Sequence, residues 1–388
     1  MLGSVIVLAE LSTFGEIMRL SQSNRGPRPK QVAAWLCRFS KFGQTAFSSA
    51  LLCGTLLFAV ACRPSHESPR PSIVFTHIPP VGGGPESLDH ISGRVVDAGS
   101  GARIVIYARN NTWWVQPFRN HALTGIAGDG SWENVTHLGT DYAALLVNPE
   151  YEPMAKLSAL PSTTGNVLAV ASTKASSEPP PVPKIIHFSG YDWRVRSSPN
   201  DRGGDIYDYE PSNVWVDDQG YLHLLMGQEG GRWHCAEVSL TRSLGYGTYR
   251  FVISESAHLP PSAILTLFTQ DSDGTDLQIE LGRWGKTQNH NADYVVQPYY
   301  IPQNTVHFDV PAGAMTHMLR WEPGSATFRS FTGVSSAPRA LVMDHVFKSG
   351  VPVPARETLH MDFYDFHHSQ SGLQHPVEIV VQKFEYLP

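Results

Sequence analysis

The chain has 388 residues, 41% hydrophobic and 16% charged, with 33 Gly, 29 Pro, 9 Trp and 14 Tyr. That wealth of turn formers and aromatics, with few long charged side chains, excludes a helical bundle or a disordered chain and points to an all-β protein. Residues 1–61 hold six of the 29 bases and two of the 35 acids, so the remainder carries 23 bases and 33 acids, a formal −10. Such a balance repels phosphate backbones and argues against nucleic acid as a partner; an uncharged polymer suits it better.

The first element in chain order is an export signal. A basic stretch ending in Arg38 and Lys41 precedes an uncharged run from Ala46 to Ala61. Basic, then apolar, then small residues is the order of a signal peptide. The run is shorter than the ~20 residues of a membrane-spanning helix. It ends in Ala59-Val60-Ala61-Cys62, which resembles a bacterial lipobox, with Ala59 where such boxes prefer Leu. The resemblance implies cleavage before Cys62 and a lipid anchor on its thiol. The alternative is an uncleaved anchor helix. Either way the rest of the chain is expected outside the cytoplasmic membrane, in the cell envelope, at a bacterial outer membrane or cell surface. With Cys62 lipidated, Cys235 lacks a partner, so no disulfide is expected and Cys235 reads as a small buried hydrophobe.

Residues 62–89 are rich in Pro and Gly, carry no periodic apolar pattern, and read as a tether. Residues 90–175 contain short β-rich runs (Ile91 to Val96, Ile104 to Tyr107, Tyr142 to Val147), separated by Asn110-Asn111 and Gly128-Asp129-Gly130 as turn signals. They predict a small β-sandwich. Trp113-Trp114 and Trp132 within it are either a sugar platform or a split between core and surface. Residues 176–183, Ser-Ser-Glu-Pro-Pro-Pro-Val-Pro, favour polyproline II and mark a linker. Residues 184–388 then offer about a dozen strand-like runs without helical periodicity, which two packed antiparallel sheets would bury.

One of these runs carries chemistry. In Asp276-Leu-Gln-Ile-Glu280-Leu-Gly-Arg-Trp284 the odd residues Leu277, Ile279 and Leu281 point to a core. Asp276, Gln278, Glu280 and, if the strand continues, Trp284 point the other way. On an exposed sheet face these would be solvated charges; on a concave face they would line a cleft. The histidines, including His367, His368 and His375, lack the spacing of a metal site.

The run resembles the Glu-x-Asp-x-Glu strand of glycoside hydrolase family 16. The resemblance extends over 184–388 through Phe188 to Trp193, Asn213 to Asp217, Trp233 to Val238, Ser243 to Phe251, Arg283-Trp284-Gly285 and Tyr294 to Tyr300. It implies a concanavalin A-like β-jelly-roll sandwich behind the smaller β-sandwich. In that family the first Glu is the nucleophile, the Asp assists, and the last Glu is the acid/base of a retaining mechanism. Here Asp276 falls on the nucleophile, Gln278 on the assisting acid and Glu280 on the acid/base. A retaining pair needs carboxyls ~5–5.5 Å apart, whereas Cα atoms at i and i+4 on a strand stand ~13 Å apart. The side chains must therefore lean together, and Asp276 is one methylene short. Gln278 cannot ionise.

The expectation is a carbohydrate-active surface protein that engages a β-linked polysaccharide in its concave cleft, with weak or lost hydrolysis. An active retaining endo-glycanase and a non-catalytic scaffold are the alternatives. Trp284, Trp215 and Trp233 are the candidate stacking residues; Trp193 is more often a core filler. A monomer is expected, with no cofactor apart from the structural calcium some family members hold.

Overall fold

A computed structural model describes residues 70–84, 87–202, 205–271, 276–334, 340–368 and 373–388. The leader and Cys62 lie outside them. The described residues form an all-β protein whose strand pairs are antiparallel throughout.

The N-terminal part is a small sandwich of a three-stranded and a six-stranded sheet. Ile91, Val95 and Trp132 of the first pack against Ile104, Ile106, Tyr142, Ala144 and Leu146 of the second. The structure departs from the expected tether here, because Ser72–His77 is a strand paired with Leu88–Val96. Its alternation is only two residues deep: Ile73 and Phe75 pack against the core, and Phe75 meets Trp132 edge-on at 5.8 Å. That short signal, beside so many prolines, reads as tether in sequence. The part closes on itself where Ser176 N–H donates to Pro79 O at 2.8 Å.

The C-terminal part is a jelly-roll sandwich of two eight-stranded sheets. One runs, in spatial order, Ile185–Phe188, Tyr191–Val195, Ala236–Leu240, Thr358–Asp365, Ala263–Gln270, Leu277–Leu281, Ala292–Val296 and Thr305–Phe308. The other includes Leu222–Glu229, Val377–Leu387, Gly247–Ile253 and Met315–Glu322. Between them lie Trp193, Leu265, Leu267, Ile279 and Phe363 from the first sheet, against Phe251, Leu319, Trp321, Phe328 and Phe384 from the second. Strand alternation is the cause: each strand gives every second side chain to this layer.

Leu277–Leu281, the motif strand, follows the expected parity. Leu277, Ile279 and Leu281 are core residues, and Gln278 and Glu280 face away from it. The strand stops at Gly282, whose φ of +156° and closeness to its neighbour demand glycine. A Cβ there would stand 2.6 Å from Ala263 O and 2.3 Å from Ile264 Cδ1.

Candidate functional site

Strand register aligns the outward residues of the motif sheet into rows. Glu280 lies between Thr266 and Asp293; Asp362 is opposite Thr266, Glu237 opposite Asp362, and His307 opposite Asp293. One row across six strands thus carries four acids. The next row holds Ser239, His360, Phe268, Gln278, Val295 and Thr305.

Buried carboxylates need compensating charge or hydrogen bonds, and three of the four have them. Glu237 is ion-paired with Arg196 and takes a hydrogen bond from His360 Nδ1 at 2.7 Å. Burial works to raise its pKa, but the Arg196 charge and the His360 bond outweigh burial and hold it below the usual range. Asp362 pairs with Arg202 Nε at 2.5 Å and accepts from the Tyr209 hydroxyl at 3.1 Å. Burial raises its pKa to about 6 against the opposing pull of Arg202. Asp293 accepts from Trp284 Nε1 at 2.9 Å and pairs with His307 Nδ1 at 2.6 Å.

Glu280 is the exception. It is 8% exposed, and among the described residues no hydrogen bond or ion pair reaches its carboxyl. Burial, and secondarily the neighbouring Asp293 charge, push its pKa up to about 8. At neutral pH it therefore holds a proton, the state a general acid requires.

Asp276 and Gln278 are brought together with it on the same face. Asp276 is 9% exposed and its Oδ2 faces Gln278 Nε2 at 3.4 Å. An amide donor thus faces the Asp276 carboxylate from the middle of the row.

The sequence allows this row a cleft or a solvated face; Asp276, Gln278 and Glu280 are all buried, so it is not a solvated one. Arg202, from the paired strands Asn200–Arg202 and Asp205–Tyr207, reaches Asp362 and Phe268 on the same face. The Arg202 guanidinium sits 4.6 Å above the Phe268 ring and 5.1 Å from that of Tyr364. Around it Tyr207, Tyr209, Cys235, Ile264 and Tyr364 form a second apolar cluster, with Trp284 and Phe366 packed on it. Arg202 is far from the motif in sequence, so no local pattern announces it.

The tryptophans separate. Trp284 stays with the row although the strand ends at Leu281. It takes φ +52° in the following turn, bonds Asp293 and meets Phe366 edge-on at 5.1 Å. Trp215 does not join it. It belongs to the opposite sheet, where its neighbour Val214 takes the core face, and it stacks on His223 at 4.9 Å. Trp233 is on a short strand paired with Leu222–Glu229 and packs half-buried against the main core. Trp193 is fully buried in that core. Of the N-terminal pair, Trp113 is buried, while Trp114 is exposed with Lys156 Nζ 4.7 Å from its ring. Cys235 is a buried free thiol whose pKa burial pushes up, which leaves it inert as a nucleophile. Arg283 turns away from the row and donates to Ala257 O at 3.1 Å. Among the described residues no three His, Cys, Asp or Glu side chains gather as a cation site.

No family model matches the chain, and no curated protein does. Solved structures do. The chain is similar to the Bacillus licheniformis β-glucanase, at 14% identity and a TM-score of 0.37, over 50% of this chain and 92% of that one. It is similar to a β-1,3-glucanase from Mycobacterium marinum at 14% and 0.39, over 50% and 90%. A third is an immunostimulatory antigen and pseudo β-1,3-glucanase of Mycobacterium tuberculosis, at 16% and 0.39, over 49% and 88%.

Proposed function

We propose that the protein contacts a β-linked polysaccharide with its C-terminal sandwich and hydrolyses it weakly or not at all. The observation that carries this is the asymmetry of the motif row. Glu280 is poised as a protonated acid, whereas Asp276 is short and faces an amide, and Arg202 stands beside the row. Acid catalysis alone leaves the anomeric carbon without a nucleophile. The reading involves no cofactor. It rests for its ligand on the resemblance of 184–388 to family 16.

The test restores the family row. Asp276→Glu with Gln278→Asp is expected to raise hydrolysis of laminarin or mixed-linkage glucan by orders of magnitude, at ~1.4 kcal/mol of barrier per tenfold. Glu280→Gln on that background should abolish it. Strong hydrolysis by the unmodified protein, lost in Asp276→Ala, would favour the active retaining endo-glycanase instead. That second reading draws on the protonated state of Glu280.

We also propose that the chain acts outside the cytoplasmic membrane, held by a lipid on Cys62. Labelled palmitate should enter the protein and be absent from Cys62→Ala; equal labelling of both would sink the anchor.

A further inference from the structure

The turn that follows the strand next to the motif presents two large aromatic rings to solvent. Tyr299 is 67% exposed and Tyr300 75%, their centroids 5.9 Å apart in an edge-on pair. Scattered exposed aromatics need no explanation, but three features set this pair apart.

First, the turn is pinned. Tyr299 N–H donates to Gln297 Oε1 at 2.9 Å, Thr305 Oγ1 to Tyr299 O at 3.2 Å, and Asn304 Nδ2 to Pro298 O at 3.2 Å. Asn304 N–H also donates to Ile301 O at 2.9 Å. A turn so held loses little further backbone freedom when it binds something.

Second, it is joined to the candidate site by backbone. Gln297 N–H donates to Asp276 O at 3.0 Å, and Val296 is paired with Leu277. The turn that carries the rings therefore begins at the Asp276 end of the motif strand, opposite the end at which Trp284 bonds Asp293.

Third, residues 294–306 contain no Lys, Arg, His, Asp or Glu in a chain of net charge −6. Aromatic rings on a segment that itself carries no charge suit a neutral saccharide. Its C–H faces stack on aromatic rings, and it needs no counter-charge.

We infer that Tyr299 and Tyr300 form a saccharide-stacking platform at the Asp276 end of the motif strand, and that the polysaccharide is a neutral one. This rests on the glycan-binding reading above and adds the place and the charge class of the ligand.

The experiment measures binding of the full chain, in detergent, to laminarin, mixed-linkage glucan, xyloglucan and a carboxymethylated glucan. Tyr299→Ala and Tyr300→Ala should each weaken the neutral glycans about tenfold, ~1.4 kcal/mol. Tyr→Phe at either position should keep most of the affinity, because the ring remains. Both side chains are solvent-facing, so thermal unfolding should be unchanged and a folding defect is separable. Binding of neutral glycans should be insensitive to salt. If the unmodified chain binds neutral glycans and both alanine variants bind as tightly, the platform is overturned while the glycan-binding reading stands. Preference for the carboxymethylated glucan would overturn the neutral class. A change of oligomeric state in the variants, with glycan affinity intact, would reassign the rings to a contact between copies. No binding of any glycan by the unmodified chain would overturn the proposed function itself.

Discussion

Glu280 differs from the other acids of its row by what is missing around it, and the consequence can be read against pH. A carboxyl whose folded pKa stands near 8 instead of 4.5 binds its proton more tightly in the folded chain than in the unfolded one. Between those values the folded state holds more protons, so stability falls as pH rises, by up to ~1.4 kcal/mol per pH unit from this group. Glu280→Gln has no proton to lose. Denaturant unfolding at pH 5 and pH 8.5 should show the variant gaining on the unmodified protein at the higher pH, by a few kcal/mol at most. If the two lose stability in parallel, Glu280 is not a neutral acid at pH 7. Parity along the strand was enough to place Glu280 and Gln278 on one face. It said nothing of their charge states, because these depend on Asp293, Arg202 and the depth of burial.

At the scale of elements, the segment Asn200–Tyr207 decides how the motif face is used. Arg202 is the cation for Asp362, which is fully buried on a strand 160 positions away. Removing one partner of such a pair leaves an uncompensated charge, a loss of ~3–5 kcal/mol. Arg202→Ala should therefore lower stability by that order, and Asp362→Asn added to it should recover part of the loss. Urea unfolding of the two singles and the double closes the cycle; simple additivity would show that the two residues do not interact. Trp215 teaches the same lesson. Its aromatic character and its flanking residues are plain in the sequence, but the sheet to which its strand belongs is a matter of topology. Trp284 is the converse case, since the strand stops short of it and the turn still returns its indole N–H to the row.

For the molecule as a whole, the small sandwich and the jelly roll are proposed to be separable at 176–183. Val182 is 93% exposed, and the prolines around it have nothing to bury. Contacts between the two parts include His90 Nε2 to Asp208 at 3.2 Å and Arg232 to Glu133 at 3.3 Å, partly exposed ion pairs of small worth. Mild proteolysis should release a fragment beginning near Lys184 that unfolds cooperatively alone; insolubility of 184–388 without the small sandwich would make the boundary wrong. The hydrogen bond to Asp208 raises the pKa of His90 against its burial. Its contribution is therefore complete below the unfolded value near 6.5 and is lost as pH rises through the raised folded value. Separation of the nicked halves on size exclusion should be more complete at pH 9 than at pH 6.

The sequence alone determined the all-β class, the core face of the motif strand, the small sandwich ahead of the larger one and the shared face of Gln278 and Glu280. Each of these follows from alternation or composition over a few residues, because a strand's two faces are set by its own backbone. Only the tertiary structure decided that the motif row is buried and not solvated, that Arg202 stands beside it, that Asp293 and Asp362 have partners while among the described residues Glu280 has none, and that Ser72–His77 belongs to a sheet. Charge compensation and burial are set by groups brought close from far along the chain, and the pairing of strands fixes which groups those are.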